Sequence, residues 1–344
     1  MVSDTALVVK LVLDTLSSFC LSVHPTISTQ LWWSNWGGTL KFCNLTEQPM
    51  KIHTSYVDTN NKSGRITNLV FHPVSADTMF ACGLMMQGVY RSTDRGVTWL
   101  VVLRKKYKHT WYSGESLHCA KVGGGVCVVA ASFSLGTIDW SYDLGNTWNT
   151  YQSASTNSFC SIVVLSYKPL VVIGGTRTGK VIRIEVDKGI EYELWQTKGV
   201  DYLEIPRIRL LDSTRQNIAF ITAGYDSQNR ANGLVVMSLD SSKLLRTYMN
   251  SISLWGMEVC DDDIIVGGFS EFEFVKGAGT LAIVSLNSGA VFLQHPGDSW
   301  EVHSPSVWDI RKSVSADGKM FLAAATEQGV YVLVPGLQRS TVCD

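Results

Sequence analysis

Two eight-residue stretches, Ser92-Thr93-Asp94-Arg95-Gly96-Val97-Thr98-Trp99 and Ser141-Tyr142-Asp143-Leu144-Gly145-Asn146-Thr147-Trp148, share the pattern S-x-D-x-G-x-T-W and begin 49 residues apart. Each couples a strand-ending Ser to an Asp that can accept backbone N–H groups, a Gly free to take positive φ, and a Thr-Trp pair that re-enters a strand. Such a stretch makes a self-satisfied turn between two antiparallel strands. Its recurrence predicts a chain built from repeats of about one small sheet each.

The glycine that opens the third strand of each repeat serves as a ruler. Gly38, Gly88, Gly136, Gly179, Gly233, Gly279 and Gly329 follow one another at spacings of 43 to 54 residues, close to the ~40–50 residues of a four-stranded propeller blade. The sequence therefore predicts an all-β, seven-bladed β-propeller of four-stranded antiparallel blades. The blades are expected at approximately 17–54, 66–103, 115–152, 158–197, 205–249, 253–295 and 306–335 in one domain, with 336–344 as a short tail. The last repeat runs out after three strands, whereas the apolar stretch 6–13 stands ahead of the first. That strand is expected to complete the seventh blade and close the ring, leaving no unpaired edge between first and last blades.

The repeated turn resembles the Asp-box, or BNR repeat, of sialidases, sortilin-type receptors and photosystem assembly factors, and the architecture is similar to that of WD-repeat propellers. The resemblance implies a structural role for Ser92, Asp94, Gly96, Thr98, Trp99, Ser141, Asp143, Gly145, Thr147 and Trp148. Sialidases also carry an Arg-Ile-Pro element before the first box, three arginines for a substrate carboxylate, and a Tyr-Glu nucleophile pair. Here Ile205-Pro206-Arg207-Ile208 runs in reversed order and follows both boxes, and seven blades replace that family's six. Paired carboxylates suited to glycoside cleavage are not assembled by any spacing, so no catalytic residue is assigned.

Other motifs dissolve on inspection. Gly174-Gly175-Thr176-Arg177-Thr178-Gly179-Lys180 imitates a phosphate loop, but Val181 replaces the magnesium-binding hydroxyl and a strand follows where a helix is needed. Seven histidines offer no metal spacing, and eight cysteines include no C-x-x-C pair, so small buried thiols are expected and neither metal nor cofactor is implied. The pair His118-Cys119 reads as strand filling, as do most of the eleven tryptophans. Net charge is −1, which lacks the basic footprint of a nucleic-acid binder. An acidic residue and a lysine interrupt the apolar start, and no apolar run has membrane-spanning length. The expectation is a soluble intracellular protein, or part of a virus particle, without membrane insertion.

Two surface loops are the candidate contact sites. Arg104, Lys105, Lys106 and Lys108 form a basic connection between blades two and three, and Phe269, Phe272 and Phe274 alternate with glutamates in a long connection of blade six. Interleaved aromatics are costly to leave in water. The function expected is a non-catalytic protein–protein interaction scaffold in a larger assembly. The alternatives are a glycan-binding or sialidase-like propeller, favoured if exposed Trp and Arg side chains converge at the central pocket, and an assembly factor for a client protein.

Overall fold

The computed structural model describes residues 6–59, 63–104, 114–197, 203–212, 214–224, 232–268, 279–294, 296, 305–314 and 318–335. They form seven four-stranded antiparallel sheets. Six are continuous in sequence, at 21–56, 65–104, 117–152, 159–196, 203–248 and 254–293, each with its strands in chain order. The seventh takes Val307–Val314, Met320–Thr326 and Gly329–Pro335 and adds Leu7–Asp14 as its outer strand, paired from Leu7 opposite Pro335 to Asp14 opposite Val330 with register shifts after Val9 and Val12. The N-terminal strand thus closes the ring as the strand count predicts.

The first strand of each blade packs against the first strands of its neighbours around a central axis, with the seventh blade's meeting the first's. Second strands are covered on both faces by adjacent blades, which is why Gly125–Ala131 and Asn217–Gly224 read as nearly unbroken small and apolar runs. Outer strands such as Val291–Leu293 and Lys243–Tyr248 face solvent and carry little core. The buried apolar side chains cluster chiefly between blades: Trp32 lies between blades one and two, Trp33 between seven and one. The seven described cysteines are unpaired thiols, six of them buried, and burial pushes Cys20, Cys119, Cys127 and Cys260 up to about 12.

The chain direction gives the disc two distinct ends. Outer-to-inner and second-to-third connections lie at one end, the mouth; inner-to-second and third-to-outer turns lie at the other, the base.

Candidate functional site

The two Ser-Asp-Gly-Thr-Trp turns lie at the base and bond alike. The Gly96 and Gly145 N–H groups donate to Ser92 and Ser141 Oγ, both at 2.8 Å, with the glycines at φ +79° and +85°. Thr98 and Thr147 each donate a backbone N–H and a hydroxyl to the carboxylates of Asp94 and Asp143. These donors hold both carboxyls below the usual range, Asp143 at about 2. Trp99 Nε1 donates to Ser55 Oγ of blade one at 2.9 Å, and Trp148 packs on the core shared by blades two and three. Each turn therefore anchors its blade to the one before.

The axis holds a cluster that separate motifs did not reveal. Strand alternation turns residues i and i+2 to one face, so Arg207 and Arg209 of blade five and Asp309 and Arg311 of blade seven belong to the same inward surface as Glu258 of blade six. Glu115 joins them from just ahead of blade three. Arg207 and Asp309 are 1% and 0% exposed and pair at 3.1 Å (Nη2 to Oδ1). Arg311 Nη2 lies 3.4 Å from both Asp309 Oδ2 and Glu115 Oε1, and Arg209 pairs with Glu115. Asp309 also accepts the N–H of Leu21 in blade one at 2.9 Å and that of Ile310. Glu258 accepts the N–H groups of Val259 and Lys312.

Burial lowers Arg207 and takes Arg209 down to about 10; Arg311 suffers the same burial but is raised by Asp309 and Glu258. Nearby, His118 Nε2 donates to the Ile162 carbonyl at 2.6 Å, and burial holds the imidazole at about 4, hence neutral at pH 7. The sequence signal for this cluster is the charge–Ile–charge spacing of Arg207-Ile208-Arg209 and Asp309-Ile310-Arg311 on two inner strands. Chemically it is an ion-pair lattice whose members are largely spent on one another.

Above it, at the mouth, aromatic rings of blades six, seven and one form an arc that Arg65 of blade two extends. Arg65 opens blade two and bridges to Trp36, its guanidinium carbon 3.6 Å from the Trp36 ring centre and 5.0 Å from Phe19. Phe19 meets Trp36 and Trp308 edge to face at 5.3 and 5.6 Å, and Trp308 meets Trp255 at 5.5 Å. Phe19 and Trp255 are buried, whereas Trp36 is 46% exposed. Trp255 and Trp308 pack with Ala223 across blades five, six and seven, in line with the inter-blade filling expected of most tryptophans and shown by Trp32 and Trp33, whereas the half-exposed Trp36 departs from it. On the next blades Arg177 stands over Phe133 at 5.3 Å and 3.9 Å from Glu204.

The expected basic loop contributes one described residue, the exposed Arg104 at the mouth end of its strand. Lys105, Lys106, Lys108, Phe269, Phe272 and Phe274 lie outside the described residues. Lys180, in the phosphate-loop look-alike, opens a strand and pairs with Glu193 across the hairpin at 2.9 Å. Among the described residues no group of three or more His, Cys, Asp or Glu could hold a metal ion, and no helix is long and apolar enough to cross a membrane.

No protein-family profile matches the chain, and no curated protein sequence matches it. Among solved structures it is similar to Saccharomyces cerevisiae Sqt1, with a TM-score of 0.66 at 14% identity over 97% of this chain and 99% of that one. It is also similar to YCF48 bound to D1 peptide, with a TM-score of 0.63 at 13% identity over 97% and 96%. At such identities the likeness is one of fold, that of the seven-bladed propeller.

Proposed function

We propose that the chain is a non-catalytic protein-binding propeller, a structural subunit of a larger assembly, and that its channel mouth docks the partner. The carrying observation is the arc of Phe19, Trp36, Trp308 and Trp255 with Arg65 stacked on it, which leaves a half-exposed indole beside a cation. Trp and Arg are the side chains over-represented where binding energy concentrates. The axial carboxylates are engaged by arginines and backbone N–H groups, which favours binding over chemistry. A propeller of similar fold, YCF48, has been captured with a peptide, which supports a polypeptide as the ligand class.

Tagged protein purified natively from its source, with partner stoichiometry by mass spectrometry, tests this. A stoichiometric partner that is lost in Trp36→Ala/Arg65→Ala supports the reading; recovery of a lone monomer overturns it. A partner present only during assembly of another protein would shift the role from subunit to assembly factor. The same indole and guanidinium favour a second reading, glycan binding by stacking, and a glycan array with wild type and Trp36→Ala separates the two.

A further inference from the structure

Blades one and two close their inner-to-second turns, at the base, on imidazoles. The loops 24–30 and 72–78 bond alike: the His24 and His72 N–H groups donate to the Gln30 and Thr78 carbonyls at 3.0 and 2.9 Å, and Gln30 and Thr78 donate back to Ile27 and Ser75. A proline follows each histidine and offers no N–H, which leaves the next two amides to the ring. His24 Nδ1 accepts from Thr26 and Ile27 at 3.3 and 3.2 Å, and His72 Nδ1 accepts from Val74 and Ser75 at 3.1 and 2.8 Å. Only a neutral ring protonated on Nε2 can do this, because an imidazolium carries N–H on both nitrogens. Other blades meet the same need without a histidine. Blade five holds its turn on the Asp212 carboxylate, which accepts the Gln216 and Asn217 N–H groups at 2.9 and 3.0 Å. Blades three, four and six turn in two residues, between Val122 and Gly125, Tyr167 and Leu170, and Cys260 and Asp263.

We propose that the loops 24–30 and 72–78 are an acid-opened clasp on the base of blades one and two: protonation of His24 and His72 turns an N–H against the amides each ring holds, and both loops open while the ring of blades stays closed. The clasp spans the joint, since the His24 ring meets Phe71 of blade two edge to face at 5.1 Å. Opening therefore uncovers Phe71 at the base end of the core it shares with Trp32. The groups facing the rings set the direction. At His24 burial opposes the charge, the Ala76 carbonyl favours it, Arg95 opposes it and Asp77 favours it; the balance holds the imidazole below its ordinary value, and Arg95 and Asp77 also pair with each other. At His72 burial alone lowers it. From blade seven the uncharged Ser313 donates its hydroxyl to the Ser28 carbonyl at 2.5 Å. Two depressed imidazoles mean that the closed form is complete above about pH 6.5 and is lost as pH falls below it, whereas a carboxylate such as Asp212 stays charged down to about pH 4. The clasp lies at the end of the disc opposite the mouth and rests on nothing that docks there.

Amide hydrogen exchange of the full chain, corrected for the intrinsic effect of pH on exchange, tests this. Between about pH 7 and about pH 5 the protection of Thr26, Ile27, Val74 and Ser75 should fall about tenfold or more, while Gln216 and Asn217 on the Asp212 turn keep theirs. His24→Asn/His72→Asn supplies a side-chain carbonyl that accepts nearby amides whatever the pH, and should keep all four protected throughout. If the double variant does not fold, His72→Asn alone gives the comparison within one molecule, its own loop indifferent to pH and the His24 loop not. The proposal is overturned by protection that does not change with pH, by the same fall in the asparagine variants, or by an equal fall at Gln216 and Asn217, which would be loosening of the whole ring.

Discussion

The joint between blades seven and one and the joints between blades one, two and three solve the same packing problem by different means. Blades one to three follow one another along the chain, joined by an apolar wedge, a turn-borne indole and bonds made mostly by uncharged groups. Trp99 reaches Ser55 across 44 residues, Ser34 Oγ donates to the Ile66 carbonyl, and the Ser116 N–H donates to Asn68 Oδ1; Arg91 is the charged exception, donating to the Leu144 carbonyl. The seam instead joins residues nearly a chain length apart, Asp309 accepting from Leu21 across 288. Loop-closure entropy grows only logarithmically, so this separation costs about 2 kcal/mol more. Directed, charged bonds offset it. Asp309 takes the Leu21 N–H, Arg311 donates to the Leu21 carbonyl at 3.2 Å, and Asp14 accepts from Trp33 Nε1 and Lys41 Nζ, both at 2.8 Å. Hydrogen bonds to charged groups contribute about 1.5–3 kcal/mol each, enough to cover that difference while fixing register. The lesson is that both kinds of joint combine apolar packing with directed bonds, and that the seam, which lacks covalent continuity, is the one that adds buried carboxylates as acceptors.

The harshest way to break this comparison is to delete residues 1–14. The seventh blade then loses its outer strand, the seam loses Asp14, and the strand Gly329–Pro335 becomes an open edge. Loss of the cooperative thermal transition, or a Tm lower by more than about 10 °C, is expected in calorimetry. An unchanged Tm would show that the ring holds without its closing strand.

Next in size is Asp309→Leu, which strips the buried Arg207 of its 3.1 Å partner and leaves Arg311 with Glu115 alone. Breaking a buried pair from one side costs about 3–5 kcal/mol, to be read from urea unfolding. Asp309→Leu/Arg207→Met should recover part of that loss, because removing both partners spares the stranded charge. A double variant no better than the single would assign Asp309's contribution to Leu21 rather than to the arginine.

At the other joints, Trp99→Ala and Trp148→Ala should each cost about 2–3 kcal/mol, below the 3–5 of a fully buried aromatic because both rings are half-buried. The two effects should add, since each indole serves a different joint. Marked non-additivity would mean that the three blades unfold as one body and the comparison is drawn too finely.

The ring and its closure were legible because the signals are local and repeated: a glycine at each third-strand start, runs of apolar residues bounded by turns, and an N-terminal strand without any other partner. The turns at Asp94 and Asp143 were legible for the same reason, their donors and acceptors lying within four residues. The axial cluster was not. Arg207, Asp309, Arg311 and Glu115 come from three blades, and alternation shows which way each side chain faces but not which carboxylate it meets. Trp36 misled for a related reason. An indole on a propeller strand has the same local sequence whether it fills a wedge or rims the mouth, and only its height along the strand separates the two.

The smallest effect sharpens the comparison by pH. His118, whose Nε2 donates to Ile162 of the next blade, is held by burial at about 4 against an ordinary value near 6.5. A folded value below the unfolded one means that its contribution is complete above about pH 6.5 and is lost as pH falls toward 4, because only the unfolded chain takes up the proton freely. Asp14 at the seam behaves differently. Burial would raise its carboxyl, but Lys41, Trp33 and the Leu16 N–H together hold it below its ordinary value. Its contribution therefore persists until pH falls below about 4. The joint between blades three and four should accordingly loosen before the seam does. Between pH 6.5 and 4 the Tm should decline in wild type and less steeply in His118→Gln, which keeps a donor for Ile162; burial lowers His24 and His72 too, and they sustain a residual slope. Asp14→Asn should leave that decline untouched and flatten the one below pH 4. If His118→Gln retains the full decline, the interface of blades three and four is not the acid-sensitive one.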